Sequence, residues 1–224
     1  MKEKSYVYKF NLVAANIFSI LILIVLAVIT YFIKGFILFS EMKFILTTML
    51  LYFALHEVLH GIGYILGGAK PKSVYFGIAL EKGILYCLCR EEVKKKCILT
   101  SLQMPFTVIG VITYIIAIII NNDLLLLLSI ANLVGASMDL VMFFYIARIK
   151  KVRYSETDAN DEFVLISKED LTKRKSLFFK IKEVKDYNKK DFEFKKMRRV
   201  TISKFSILGL LGIIALDLML IFLK

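Results

Sequence analysis

Histidine is nearly absent: the 224 residues contain 2, His56 and His60. Cysteine is scarce as well. Cys87 and Cys89 form one C-x-C pair, Cys97 stands alone, and no second pair or neighbouring histidine completes a metal module. With all three thiols on the side expected to face the cytoplasm, no disulfide is expected. Internal repeats and low-complexity linkers are missing too, so the chain is neither a solenoid nor domains on a tether. Acidic residues are outnumbered, with 19 Asp and Glu against 31 Lys and Arg, for a net charge of +12.

In a soluble domain that basic excess would suggest nucleic acid. Its distribution excludes that reading. All Lys and Arg except Lys34, Lys43 and Lys224 fall before residue 12, between 68 and 96, or between 148 and 204. This is the asymmetry of loops held on the cytoplasmic side of a membrane. No nucleic-acid partner is expected. The bilayer is the expected partner, with 195–199 suited to anionic headgroups.

What the chain has in abundance is apolar length. Hydrophobic residues make up 58% of it, with a mean hydropathy of +0.69, which excludes an ordinary soluble protein. The expected fold is an all-α polytopic membrane protein with about five transmembrane helices, at 12–33, 43–66, 97–120, 124–147 and 205–223. The first run exceeds a signal-peptide core and has no A-x-A cleavage site, so it reads as a retained anchor. The N-terminus is then cytoplasmic, the C-terminus outside, and the location a multi-pass position in the cell membrane. Between the second and third spans, 73–80 and 84–90 read as strands joined by Glu81-Lys82-Gly83, a cytoplasmic or re-entrant β-hairpin. Three regions follow: a membrane-embedded core over 1–147, a basic cytoplasmic region over 148–203, and a C-terminal helix over 204–224. The sequence specifies no oligomeric state.

Both histidines lie inside the second span, in His56-Glu57-Val58-Leu59-His60. Residues four apart share a helix face, so the two imidazoles can meet one metal ion. Glu57 is turned about 100° from His56, placed to reach a water rather than to bind the metal. Two histidine ligands and a general base within one turn form the zinc metallopeptidase pattern. Ionisable groups inside a bilayer are costly, which strengthens the functional reading. Isolated histidines four apart by accident remain the bland alternative.

A catalytic zinc needs a third protein ligand, and there is no third histidine. Asp139 and Asp217 are the intramembrane acids outside the motif. Counted from the outer ends of their helices, Asp139 lies at the depth of His56 and His60, whereas Asp217 lies roughly 15 Å from that depth. Asp139 is therefore the expected ligand, with Asp217 next. Asn132, two turns before Asp139, is expected to hold substrate or an oxyanion, or else to bridge two helices. Gly63-x-x-x-Gly67 has the spacing of a close helix contact.

The order of H-E-x-x-H-G, a glycine-rich helix end, a hairpin, a span with Pro105 and a later Gly135-Ala-Ser-Met-Asp139 resembles the membrane zincin metallopeptidases. More distantly it resembles the site-2-protease-like intramembrane metalloproteases, whose acid is followed by Gly where this chain has Leu140. The resemblance covers roughly residues 53–147. It implies zinc held by His56, His60 and Asp139, Glu57 as catalytic acid and base, and a hairpin that adds to an unwound substrate strand. The expected activity is cleavage of membrane-anchored proteins or peptides near the cytoplasmic side. A metal-binding sensor, or a pseudoprotease that only binds substrate, is the alternative.

Overall fold

A computed structural model describes residues 3–35, 42–79, 84–157, 162–184 and 198–199. In chain order these form β1 (Lys4–Phe10), α1 (Leu12–Lys34), α2 (Met42–Gly67), β2 (Val74–Ala79), β3 (Ile84–Cys89), β4 (Val93–Lys94) and α3 (Lys95–Pro105). A π-helical segment, Phe106–Ile112, leads into α4 (Thr113–Ile119), α5 (Asp123–Gly135) and α6 (Ser137–Ala147). The strands β5 (Val152–Glu156), β6 (Glu162–Ser167), β7 (Phe179–Val184) and the short β8 (Arg198–Arg199) follow.

The fold is not all-α. A five-stranded antiparallel sheet in the order β4-β5-β6-β1-β7 stands beside the helices, and β3-β2-β8 form a second sheet. The larger sheet escaped the sequence reading because its strands are short and their partners distant. Tyr6 of β1 pairs with Leu165 and Glu183, drawn from the far end of the chain. In β6 the burial is continuous from Phe163 to Ser167, so the alternation that marks a half-exposed strand is missing. Tyr6 and Tyr8 point into the core, where Tyr8 stacks on Phe163 and meets Phe179 edge-on.

The number of spans is also corrected. Among the described residues three helices are long and apolar enough to cross a membrane: Leu12–Lys34, Thr48–Gly67 and Lys95–Ile119. The pair α5 and α6, bent by 46°, makes a fourth if it counts as one span. The expected helix at 205–223, with Asp217, and the turn at 81–83 lie outside the described residues.

Helix α1 buries only Ala15 and Thr30 and exposes Ile20, Val25 and Phe32, a surface suited to lipid rather than water. Three of its polar groups reach other helices. Ser19 hydrogen-bonds Ser137, Thr30 hydrogen-bonds Tyr114, and Lys34 pairs with Asp123. At its start Asn11 caps the helix by accepting from the Ala14 N–H and donates to the Leu177 carbonyl, tying α1 to the larger sheet.

Two contacts set the position of α2. A Cβ at Gly63 would lie 2.5 Å from the Ser101 Cα, and one at Gly67 would lie 2.4 Å from the Cys97 Cα. Only glycine at both places lets α3 come this close. The approach brings the Ser101 backbone to His60. On another face of α2 the hairpin β2/β3, paired from Val74↔Cys89 to Ala79↔Ile84, lies beside Glu57.

Candidate metal centre

One turn of α2 places His56 and His60 together, with Nε2 atoms 3.1 Å apart. Asp139 arrives from α6, its Oδ2 3.3 Å from His56 Nε2 and 3.4 Å from His60 Nε2. The break at Ala136 makes this approach possible. A backbone turn there (φ −76°, ψ 7°) ends α5 and starts α6, and the 46° bend puts Asp139 in the first turn of a new helix. A carboxylate is favoured there by the unpaired N–H groups of the helix start.

Each imidazole is held by its other nitrogen. His56 Nδ1 lies 2.8 Å from Asn132 Oδ1, and Asn132 Nδ2 donates to the Pro105 carbonyl at 3.1 Å. A carbonyl only accepts, so this second bond fixes the orientation of the amide. Asn132 must therefore present its oxygen to His56, and His56 must carry its proton on Nδ1. His60 Nδ1 faces the Ser101 carbonyl at 3.0 Å, which assigns its proton in the same way. That carbonyl is available because the helical partner of Ser101 is Pro105, which has no N–H.

Both Nε2 lone pairs and a carboxylate oxygen consequently face one another with no hydrogen between the two nitrogens. A cation resolves that repulsion. With bonds of about 2.0–2.1 Å, the donors of a tetrahedral zinc stand about 3.3 Å apart, and the three observed separations, 3.1–3.4 Å, match that edge. The residues present thus fit a zinc ion. Among the described residues they form the group that could hold one.

Glu57 is engaged by the hairpin. Its Oε2 accepts from the backbone N–H of Cys87 in β3 at 2.6 Å. Cys87 belongs to the set of β3 residues whose N–H groups face away from β2, since Arg90, three residues on and of opposite parity, bonds back to Ser73. The next outward N–H, that of Cys89, lies beside the carboxylate of Glu156 at the end of β5. Glu156 also accepts from the Tyr64 hydroxyl at 2.5 Å, and Tyr64 is the next residue on the His56-His60 face of α2. Burial pushes the Glu156 carboxyl up to about 7. Burial likewise drives the Cys87 thiol far above its ordinary range, so it is an inert apolar contact there.

The structure therefore brings together His56, Glu57, His60, Asn132 and Asp139 and leaves Asp217 outside the described residues. It adds Ser101, Pro105, Tyr64 and Glu156. Pro105 and Tyr64 carried a signal in the sequence: a proline four residues after Ser101, and a polar residue four after His60. Glu156 carried none, because strand pairing alone brings it back across about a hundred residues of chain.

Residues 49–154 match the model of a family described as "Putative zincin peptidase". No curated protein and no solved structure matches the chain. The matched stretch runs from within α2 into β5; it contains His56, Glu57, His60, Asn132 and Asp139 and stops short of Glu156. Over that stretch the chain is similar to zincin-like metallopeptidases.

Proposed function

We propose that this protein is a zinc-dependent endopeptidase embedded in the membrane, cutting membrane-anchored proteins or peptides near the cytoplasmic side. The observation that carries the reading is the convergence of His56, His60 and Asp139 at tetrahedral spacing with Glu57 on the adjacent helical position. The apolar surface of α1 and the cytoplasmic bias of the basic residues support the membrane setting and the cytoplasmic N-terminus.

His56, His60 and Asp139 hold the zinc, and Asn132 and Ser101 orient the two imidazoles through their Nδ1–H groups. When bound, zinc supplies Lewis acidity, polarising a peptide carbonyl and making water acidic near neutral pH. Glu57 takes the proton from the attacking water on a carboxylate oxygen and returns it to the leaving amine. In the resting structure Glu57 is engaged with the Cys87 N–H. A substrate strand laid along this edge of β3 takes over that N–H through its own carbonyl, which frees Glu57 to face the reacting water.

Glu57→Gln tests the reading. The glutamine oxygen still accepts from Cys87, so the variant should fold and hold about one zinc per chain while turnover falls by three or more orders of magnitude. Wild-type cleavage by Glu57→Gln refutes the mechanism. Zinc-loaded wild type that cleaves no peptide or membrane-anchored substrate favours the metal-binding sensor or pseudoprotease.

A further inference from the structure

Two carboxylates of this chain lie at successive outward N–H groups of β3: Glu57, hydrogen-bonded to Cys87, and Glu156, beside Cys89. Two residues of strand separate them by about 7 Å. The mechanism uses the first and leaves the second unexplained. Glu156 is mostly enclosed, and among the described residues no Lys or Arg pairs with it. Among the described residues its side-chain hydrogen-bond donor is the hydroxyl of Tyr64, itself 3% exposed.

A substrate strand on this edge takes the Cys89 N–H as well as that of Cys87. Glu156 is then an enclosed anion held by one phenol, a state that costs free energy until a positive charge reaches it. We propose that Glu156 is a specificity-determining subsite that binds a cationic group of the substrate, an ammonium or guanidinium, about two residues from the scissile bond. This rests on the peptidase reading. The elevated Glu156 carboxyl, pushed up to about 7 by burial, agrees with a carboxylate that has no Lys or Arg partner among the described residues. Two sources carry the required chemistry: a Lys or Arg side chain within the chain being cut, or the free amino terminus of a strand that ends at Glu156.

The experiment uses the full-length, zinc-loaded protein in lipid nanodiscs and a synthetic peptide library in two forms, with free and with acetylated amino termini. Cleavage sites are read by mass spectrometry. The expected result is enrichment of Lys or Arg at one fixed position near the cut, or preference for the unblocked form, of about tenfold or more, the worth of one charge-assisted hydrogen bond. Glu156→Gln should lose that preference by cutting cationic peptides more slowly and neutral peptides no more slowly than wild type, and Glu156→Asp should keep part of it. A Lys or Arg signal in acetylated peptides identifies the side chain as the source, and loss of cleavage on acetylation identifies the terminal amine. Cleavage by wild type without cationic preference, or an equal fall for cationic and neutral peptides in Glu156→Gln with zinc content unchanged, overturns the proposal. Zinc-loaded wild type that cuts neither library refutes the peptidase reading and takes this subsite with it.

Discussion

Replacing Asn132 with leucine removes one hydrogen-bonding group from the metal centre without touching a ligand. The side chain is 2% exposed and has the branching of leucine, whose two methyls are bulkier than the amide O and NH2, so a packing cost adds to the lost hydrogen bonds. The 2.8 Å contact that holds the His56 Nδ1 proton is lost, and the imidazole becomes free to rotate and to change tautomer. Loss of such an orienting partner weakens metal binding about 10- to 100-fold, or about 1.4–2.7 kcal/mol. The Pro105 carbonyl also loses its donor, which costs stability by about 1–3 kcal/mol if nothing replaces it. Asn132→Asp separates the two effects, because it keeps an acceptor for His56 and replaces the donor to Pro105 with an oxygen that repels that carbonyl. Zinc affinity is measured by competition with a chromophoric chelator, and unfolding in parallel by thermal melting in detergent. Weaker zinc binding in Asn132→Leu, with affinity kept in Asn132→Asp and both variants less stable, is the expected pattern. Unchanged zinc affinity in Asn132→Leu would refute the assignment of Asn132 as the group that orients His56.

Gly63→Ala should lower thermal stability by about 1–3 kcal/mol and weaken zinc binding, because the new methyl meets the Ser101 backbone and pushes away the carbonyl that holds His60. Melting and metal analysis on the same preparation check it. Removing zinc with a chelator should lower the melting temperature of wild type by an amount set by ligand linkage, about 2.7 kcal/mol when free zinc stands at 100 times its Kd. His60→Ala should show no such shift. Glu156 gives a pH dependence of stability. Its folded pKa is raised from 4.5 to about 7, so the native state favours the protonated form. The stability it contributes is full below about pH 4.5 and is lost as pH rises through 7. Glu156→Gln should therefore melt higher than wild type at pH 8 and show little difference near pH 4.5; a constant offset across that range would contradict the assignment.

Local spacing made the centre of this protein legible. His56, Glu57 and His60 need only the helical repeat to take their places, and the apolar runs of α1 and α2 need only their length. Gly63 and Gly67 announced a close helix contact by their spacing, though their partners, Cys97 and Ser101, came only from the packing. Asn132 and Asp139 were visible as polar residues two turns apart in an apolar segment. The partners of the Asn132 amide, His56 and Pro105, came only from the packing.

The sequence by itself determined a basic, membrane-suited chain with one H-E-x-x-H turn, because helical periodicity, hydropathy and charge asymmetry are local properties. Tertiary structure alone decided the five-stranded sheet, the bend that aims Asp139, the tautomers set by Asn132 and Ser101, and the meeting of Glu156 with Tyr64 and Cys89. These depend on pairings between residues tens to more than a hundred and fifty positions apart. Short strands carry too little periodic signal to name their partners, and a hydrogen bond between distant residues leaves no pattern in either local sequence.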